Sequence, residues 1–259
     1  MLIKRIKKAY AFRATLLSLA AGDLKLQYSG SRLNIWWAVI TPLLLAASIN
    51  LIFTKAYKID TPNYTFFVLS GIIPWMFFSN SVLTSVNSFG SHASIMRQGV
   101  LLPEFIPLSA VLSAFCTFLI GLVSLLPLFV VLKIKVLTVI PFLVFPVFLQ
   151  LIFTAGLGMI FASWNAFSKD ANHFFFITLT IWFWVTPVFY ALDMLPYPYR
   201  WIGLFNPMTY FVALYNQILF EARPPSLNCL GVVFIAALSC FFSGYLFFLR
   251  KEKEILKRV

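Results

Sequence analysis

The sequence predicts an all-α integral membrane protein with six transmembrane helices. An amphipathic interfacial helix precedes them, and a re-entrant outer-face segment lies between spans five and six. Three observations predict this. Of 259 residues, 61% are hydrophobic and 11% charged, against roughly 45–50% and about 25% in soluble domains, so the solvent for this much Phe and Leu is lipid. Uncharged runs long enough to cross a bilayer recur along the whole chain. The formal net charge of +12 sits beside those runs, where basic residues set topology, and nucleic acid is not needed to explain it.

Residues 1–32 form a cytoplasmic interface helix and hinge. Lys4, Arg5, Lys7 and Lys8 followed by apolar residues mimic a signal peptide, but Arg13 leaves a short apolar core, Ala14 to Ala21. Ile3, Ile6, Tyr10, Ala14, Leu17, Ala21 and Leu24 instead share one helical stripe, with Lys4, Arg5 and Lys8 on the other side. That is a helix lying in the headgroup plane, bent at Gly22. Ser29-Gly30-Ser31 breaks it before the first span.

The transmembrane domain covers residues 33–249. Leu33 to Thr54 is uncharged and crosses the ~30 Å hydrocarbon layer, kinked at Pro42. Lys55, Lys58 and Asp60 close it. The following spans are expected at about 64–88, 107–132, 137–164, 174–192 and 227–249, with a surface segment from His92 to Glu104 and a turn at Lys133-Ile134-Lys135. The run Trp201 to Phe220 is the most polar, holding Asn206, Pro207, Thr209, Asn216 and Gln217, so 199–220 is expected to dip into the membrane and return. Such backbone persists only when buried in protein or lining a cavity. Residues 250–259 make a basic cytoplasmic tail.

Six spans put both termini on one side. Seven Lys and Arg before the first span, Arg97, Lys169 and five in the tail then lie inside, fourteen against six outside, as the positive-inside rule requires.

The chemistry that is missing is equally informative. No expected span carries an interior Asp, Glu, Lys or Arg, the residues that mark proton relays and ion pathways. No nucleophile elbow or phosphate-binding Gly-Lys-Ser/Thr loop occurs. Cys116, Cys229 and Cys240 lie in apolar runs without metal-type spacing, and His92 and His173 read as loop histidines. The chain is expected to be no enzyme, to bind no cofactor or metal, and to draw energy from a partner. Its excess is aromatic: 30 Phe, 10 Tyr and 7 Trp. Most serve as lipid-facing bulk and interfacial belts. The clusters around Trp75 and Phe78 and around Trp182, Trp184 and Tyr190 are denser than a belt needs. They suit a passage for a glycolipid or a densely packed helix interface.

At Asp23-Leu24-Lys25, Tyr28, Ser31, Leu33, Trp36-Trp37 and Pro42 the sequence resembles the membrane subunit of type-2 ABC exporters for cell-surface polysaccharides (O-antigen, capsule and teichoic-acid permeases). LSGIIPWMFFSNSV (69–82), HASIMRQGVLLPEFIPLSAVLS (92–113), Asn165 to Asp170, and TPVFYALDMLP followed by Phe205-Asn206-Pro207 extend the resemblance in order. Lys169 stands where the family has arginine, keeping charge without the bidentate fork.

The resemblance implies a homodimer with two copies of a separate ABC ATPase, which binds the ATP and Mg. The implied substrate is a polysaccharide on undecaprenyl diphosphate, carried across the bacterial cytoplasmic (inner) membrane. Contact with the ATPase is expected at Asp23, Lys25, Tyr28, Arg97, Lys169 and Asp170. The inner gate is expected at His92, Met96, Arg97 and Glu104, and the passage at Trp75, Phe78, Trp182, Trp184 and Tyr190. The rivals are a drug, antibiotic or small-lipid exporter of the same superfamily, a membrane-embedded enzyme of lipid-linked sugar metabolism, and a non-transporting scaffold.

Overall fold

A computed structural model describes residues 10–53, 62–97, 101–168, 170–194, 196–197 and 199–258, and among them every regular element is helical. Lys4, Arg5, Lys7 and Lys8, the loop residues Lys55, Lys58 and Asp60, and Lys169 lie outside the described residues.

The first helix, α1 (Arg13–Tyr28), runs through Gly22 without a break, because an exposed glycine lowers helix propensity without forbidding the conformation. It stops at Ser29, whose backbone is extended, and the chain turns at Gly30 (φ +80°). That left-handed geometry is the one glycine adopts without a steric penalty. Tyr10, Ala14, Leu17 and Ala21 of the expected apolar stripe point away from the protein, while Ala20 and Tyr28 are buried against it.

A short 3-10 turn (Asn34–Trp36) enters α2 (Trp37–Leu51), which continues past Pro42. Proline cannot donate to the carbonyl four residues back. That carbonyl, of Ala38, lies against α5 at Gly121, where an added Cβ would stand 2.8 Å from the oxygen. Glycine there is what lets the two helices touch.

At the centre is α3 (Tyr64–Ser91), the most buried of the long helices. After the short α4 (Ala93–Arg97) comes α5 (Phe105–Leu132), which packs along α3. A turn of helix, α6 (Val136–Val139), and a 3-10 turn to Leu143 lead into α7 (Val144–Asn165). Its Gln150 Nε2 donates to the Pro74 carbonyl of α3 at 2.8 Å. The last helix, α11 (Leu227–Arg258), lies along α7. Gly244 and Gly156 bring the two backbones together, and a Cβ on Gly156 would stand 2.5 Å from the Cys240 carbonyl. Small residues at a crossing are the usual means of close packing in lipid.

Among the described residues five segments are long and apolar enough to cross a membrane: Asn34–Leu51, Tyr64–Ser91, Phe105–Leu132, Val136–Asn165 and Leu227–Arg258. The expected span 174–192 is instead α8 (Ala171–Val185), 15 residues long, about 22 Å at 1.5 Å per residue. Pro187 explains the early stop, because the residue before a proline is pushed out of the helical region, and Thr186 is extended (ψ 131°). Beyond it lie α9 (Arg200–Phe205), α10 (Pro207–Tyr215) and one π turn (Asn216–Phe220). The π turn and α10 are buried against α3, with Ser70 Oγ bonded to Asn216 and the Tyr64 hydroxyl to the Phe189 carbonyl.

Within the stretch expected as a basic cytoplasmic tail, α11 continues as helix to Arg258. Ile255 and Phe248 pack with Phe89, Met96, Ile106 and Met159, so the end of α11 and α1 share one end of the bundle. We call it the near end.

Candidate functional site: a polar groove on the central helix

A helix surrounded by lipid and protein has no use for an exposed polar stripe unless water or a ligand reaches it. On α3, Asn80, Thr84, Asn87 and Ser91 are all exposed. Their spacing of four, three and four residues places them on one face.

That face is the floor of a groove. A cavity of about 240 Å³ lies at its inner part, lined by Gln27, Trp37, Thr41, Asn80, Thr117 and Phe118 among others. A second, of about 430 Å³, opens towards the near end between Asp23, Thr84, Asn87, Ser91, His92 and Ser113. Both include Gln27 and Thr84, so they run together. The helix α1 and the start of α2 form one wall. On the other side Asn87 Nδ2 donates to Asn172 Oδ1 of α8 at 3.2 Å.

At the near mouth, two residues expected to serve different roles meet. His92 Nε2 is 3.0 Å from Asp23 Oδ1, and Ser109 Oγ donates to Asp23 Oδ2 at 2.9 Å. The Asp23 carboxylate, accepting a hydrogen bond from His92, raises the imidazole pKa above its ordinary value. Burial acts against this, and the nearby Ser88 carbonyl acts with it. A raised pKa means the folded chain favours protonated His92. The stabilisation is therefore complete below the usual histidine range and disappears as pH rises through the raised value.

The other described contact and gate residues are spread from the near end to the inner cavity. Lys25 is exposed on α1, and Asp170 is exposed just before α8. The Tyr28 hydroxyl lies 3.4 Å from Thr117 Oγ1. Arg97 ends α4. Met96 is buried in the near-end apolar cluster, and Glu104 is buried at the entry to α5. Asn165 Nδ2 donates to the Val86 carbonyl at 2.8 Å, fixing the α7–α8 connector to α3. The tail of α11 holds the same connector from outside. Arg258 donates to the Phe167 carbonyl at 3.3 Å, and Arg258 and Lys251 lie over the Phe167 ring at 4.9 and 5.6 Å. Cations over an aromatic face are attracted by its quadrupole.

The five aromatic residues expected along the passage line neither cavity. Trp75 and Phe78 are buried, packed on Phe183 and on Trp182 and Phe153 respectively. Trp182 Nε1 donates to Asn206 Oδ1 at 2.7 Å, and the Tyr190 hydroxyl to the Val185 carbonyl at 3.0 Å. Trp184 is exposed on the outer side of α8. Density of aromatic residues thus marks the seam between α3, α8 and the 186–190 segment. The signal for the groove was the four-three-four spacing of amides and hydroxyls on α3.

Among the described residues no three His, Cys, Asp or Glu side chains gather as a metal site. Apolar membrane-length helices around a polar cleft, with the chain's ionisable groups collected towards its ends, define a polytopic membrane protein of the transport class. More particularly, the chain belongs to the ABC-2 type transporter family, whose model matches residues 15–220. It is 32% identical over 200 residues to the O-antigen export system permease protein RfbA of Klebsiella pneumoniae, covering 76% of each chain. To the O-antigen export system permease protein RfbA of Myxococcus xanthus it is 30% identical over 255 residues, covering 94% of this chain and 96% of the relative. As the family and these relatives imply, it is a transport subunit whose ATPase is a separate chain.

Proposed function

We propose that this chain is the membrane subunit of an ATP-driven exporter that moves undecaprenyl-diphosphate-linked, O-antigen-like polysaccharide from the cytoplasmic to the outer face of the bacterial inner membrane. The observation that carries the reading is the exposed polar stripe of α3 facing a groove. Two copies of the subunit face each other across that groove, and two ATPase chains dock at the near end, which is cytoplasmic. The relatives' names supply the glycan. The lining agrees with it: amides, hydroxyls and the rings of Trp37, Phe77 and Phe118 offer hydrogen bonds and flat faces to sugars.

In this reading α8 with residues 186–191 makes the fifth crossing and α11 the sixth, and α9, α10 and the π turn form a re-entrant outer lid. Burial of Met208, Phe211, Leu214 and Leu219 against the bundle supports that lid. Both termini are cytoplasmic. Coupling to the ATPase uses Asp23, Lys25, Tyr28, Arg97, Lys169 and Asp170, and the gate lies between His92 and Glu104.

Complementation of a strain lacking this gene tests the function. Wild-type chain restores surface glycan, whereas Thr84→Trp, which fills the groove where the two cavities join, lowers it at least tenfold at unchanged membrane abundance. Normal glycan export without the chain, with altered drug efflux in its place, would transfer the assignment to the drug-exporter reading.

Coupling has its own expected result. Lys25→Ala with Asp170→Ala removes two exposed charges, and rim charges mainly set encounter rate and specificity. The double variant should retain its fold and recover several-fold less ATPase on co-purification. Undiminished recovery would exclude these two residues from the contact.

A further inference from the structure

We propose that Asp23 and His92, with Ser109 fixing the carboxylate, form a latch that holds α1 across the near mouth of the groove and lets it swing about Gly30. The geometry comes from three elements: His92 follows the last turn of α3, Ser109 lies on α5, and Asp23 brings α1 between them. The His92 and Asp23 side chains are only 12% and 15% exposed. Among the described residues they are the only ionisable ones lining the wider cavity. That cavity takes Leu26 and Gln27 from α1 as well, so moving α1 moves a wall of the groove.

Besides the latch, α1 rests along α5 through small or partly buried residues, Leu16, Leu19 and Leu24 among them. Leu17 and Leu26 face outward, the buried residues are the small Ala20 and Tyr28, and Tyr28 reaches Thr117 only at 3.4 Å. Past Tyr28 the chain turns at Gly30, which has nothing within 4 Å of where a Cβ would lie. A helix hinged in open space at Gly30 and pinned by a charge-assisted pair at Asp23, about two turns before it, has two positions available to it.

Among the described residues, Asp23 is the charged side chain paired with His92. The last three turns of α3 are uncharged. Lys25 is exposed and 200° round α1 from Asp23. Asp170 and His173 are exposed at the start of α8, Arg97 ends α4, and Glu104 is buried more than a turn before Ser109. The latch rests on the passage reading only for its consequence in export.

The test uses the full subunit with its ATPase in nanodiscs, native cysteines replaced by serine, and a water-soluble maleimide as probe. Ala20→Cys reports α1 lifting, since Ala20 is buried at 5% exposure. Ser18→Cys, exposed on the same helix, is the reference that cancels the intrinsic pH dependence of the reagent. At pH 6 the Ala20 to Ser18 rate ratio should rise about tenfold on Asp23→Asn or His92→Asn. In the wild-type latch it should rise between pH 6 and 8.5, as His92 loses its proton. His92→Lys, which keeps its charge over that range, should stay low at both. Ratios for Asp23→Asn and His92→Asn equal to wild type at both pH values would overturn the latch. If α1 lifts as expected while surface glycan in the same variants is unchanged, the latch stands and the passage reading falls.

Discussion

Gly244→Ala should remove most of the folded subunit from the membrane, although it adds a single methyl group. Its Cβ would fall on the Gly156 carbonyl, and a Cβ on Gly156 would stand 2.5 Å from the Cys240 carbonyl. Both obstacles are backbone, and a backbone atom cannot move aside as the tip of a flexible side chain can. Overpacking a core costs about 1–3 kcal/mol where neighbours can shift, and here the whole α7–α11 seam must separate. That seam also positions Phe248 and Ile255 in the near-end cluster, so the damage should spread to the connector at Phe167. We expect the apparent melting temperature in detergent to fall by about 5–10 °C and membrane abundance to drop several-fold. Gly231→Ala on the same helix is the control. A Cβ there meets nothing within 4 Å, and alanine is about 1 kcal/mol better than glycine within a helix. Equal melting temperatures for Gly244→Ala and wild type would mean that the helices do not approach as described.

The long helices were legible because lipid leaves a spanning segment no alternative to continuous apolar helix. Runs read as 64–88, 107–132 and 137–164 appear as α3, α5 and the α6–α7 stretch with ends shifted by at most about three residues, the ordinary uncertainty of helix boundaries. The break at Gly30 was legible too, since a glycine between two serines advertises a turn. Which side of each helix faces which neighbour was not. Trp75 and Phe78 look alike in sequence whether they line a passage or fill a seam, and only packing against Phe183, Phe153 and Trp182 distinguishes the cases. The stripe of Asn80, Thr84, Asn87 and Ser91 could have been read, because amides at helical spacing inside an apolar run are costly in lipid. The Asp23–His92 pair could not. Each is a single residue, and only the fold of α1 onto α3 and α5 joins them. The end of α8 was written in Pro187, but the uncharged run continued past it and masked the stop.

Asn206→Ala should be the most damaging change among the buried polar residues, because one side chain there satisfies three others. Its Oδ1 accepts from Trp182 Nε1 at 2.7 Å and from the Met208 backbone N–H at 3.0 Å, and its Nδ2 donates to Thr186 Oγ1 at 2.8 Å. The first ties α8 to α10, the second caps α10 ahead of Pro207, and the third holds the residue where α8 ends. Asn206 is 6% exposed, so water does not readily replace what it supplies. An N-cap is worth about 0.5–2 kcal/mol, and a buried donor left unpaired costs about 1–3 kcal/mol. Losing both should destabilise the α8–α10 region by roughly 2–5 kcal/mol. Asn206→Ser restores the cap on Met208 but is too short to reach Trp182 as well, so it should recover part of the loss. Trp182→Phe removes the indole donor, and combined with Asn206→Ser it should cost less than the sum of the two, because the orphaned N–H is gone. Apparent melting temperatures of the four chains measure that coupling. Strict additivity would show that Trp182 and Asn206 do not meet, and with that the join between the fifth apolar helix and the segment that follows it would be lost.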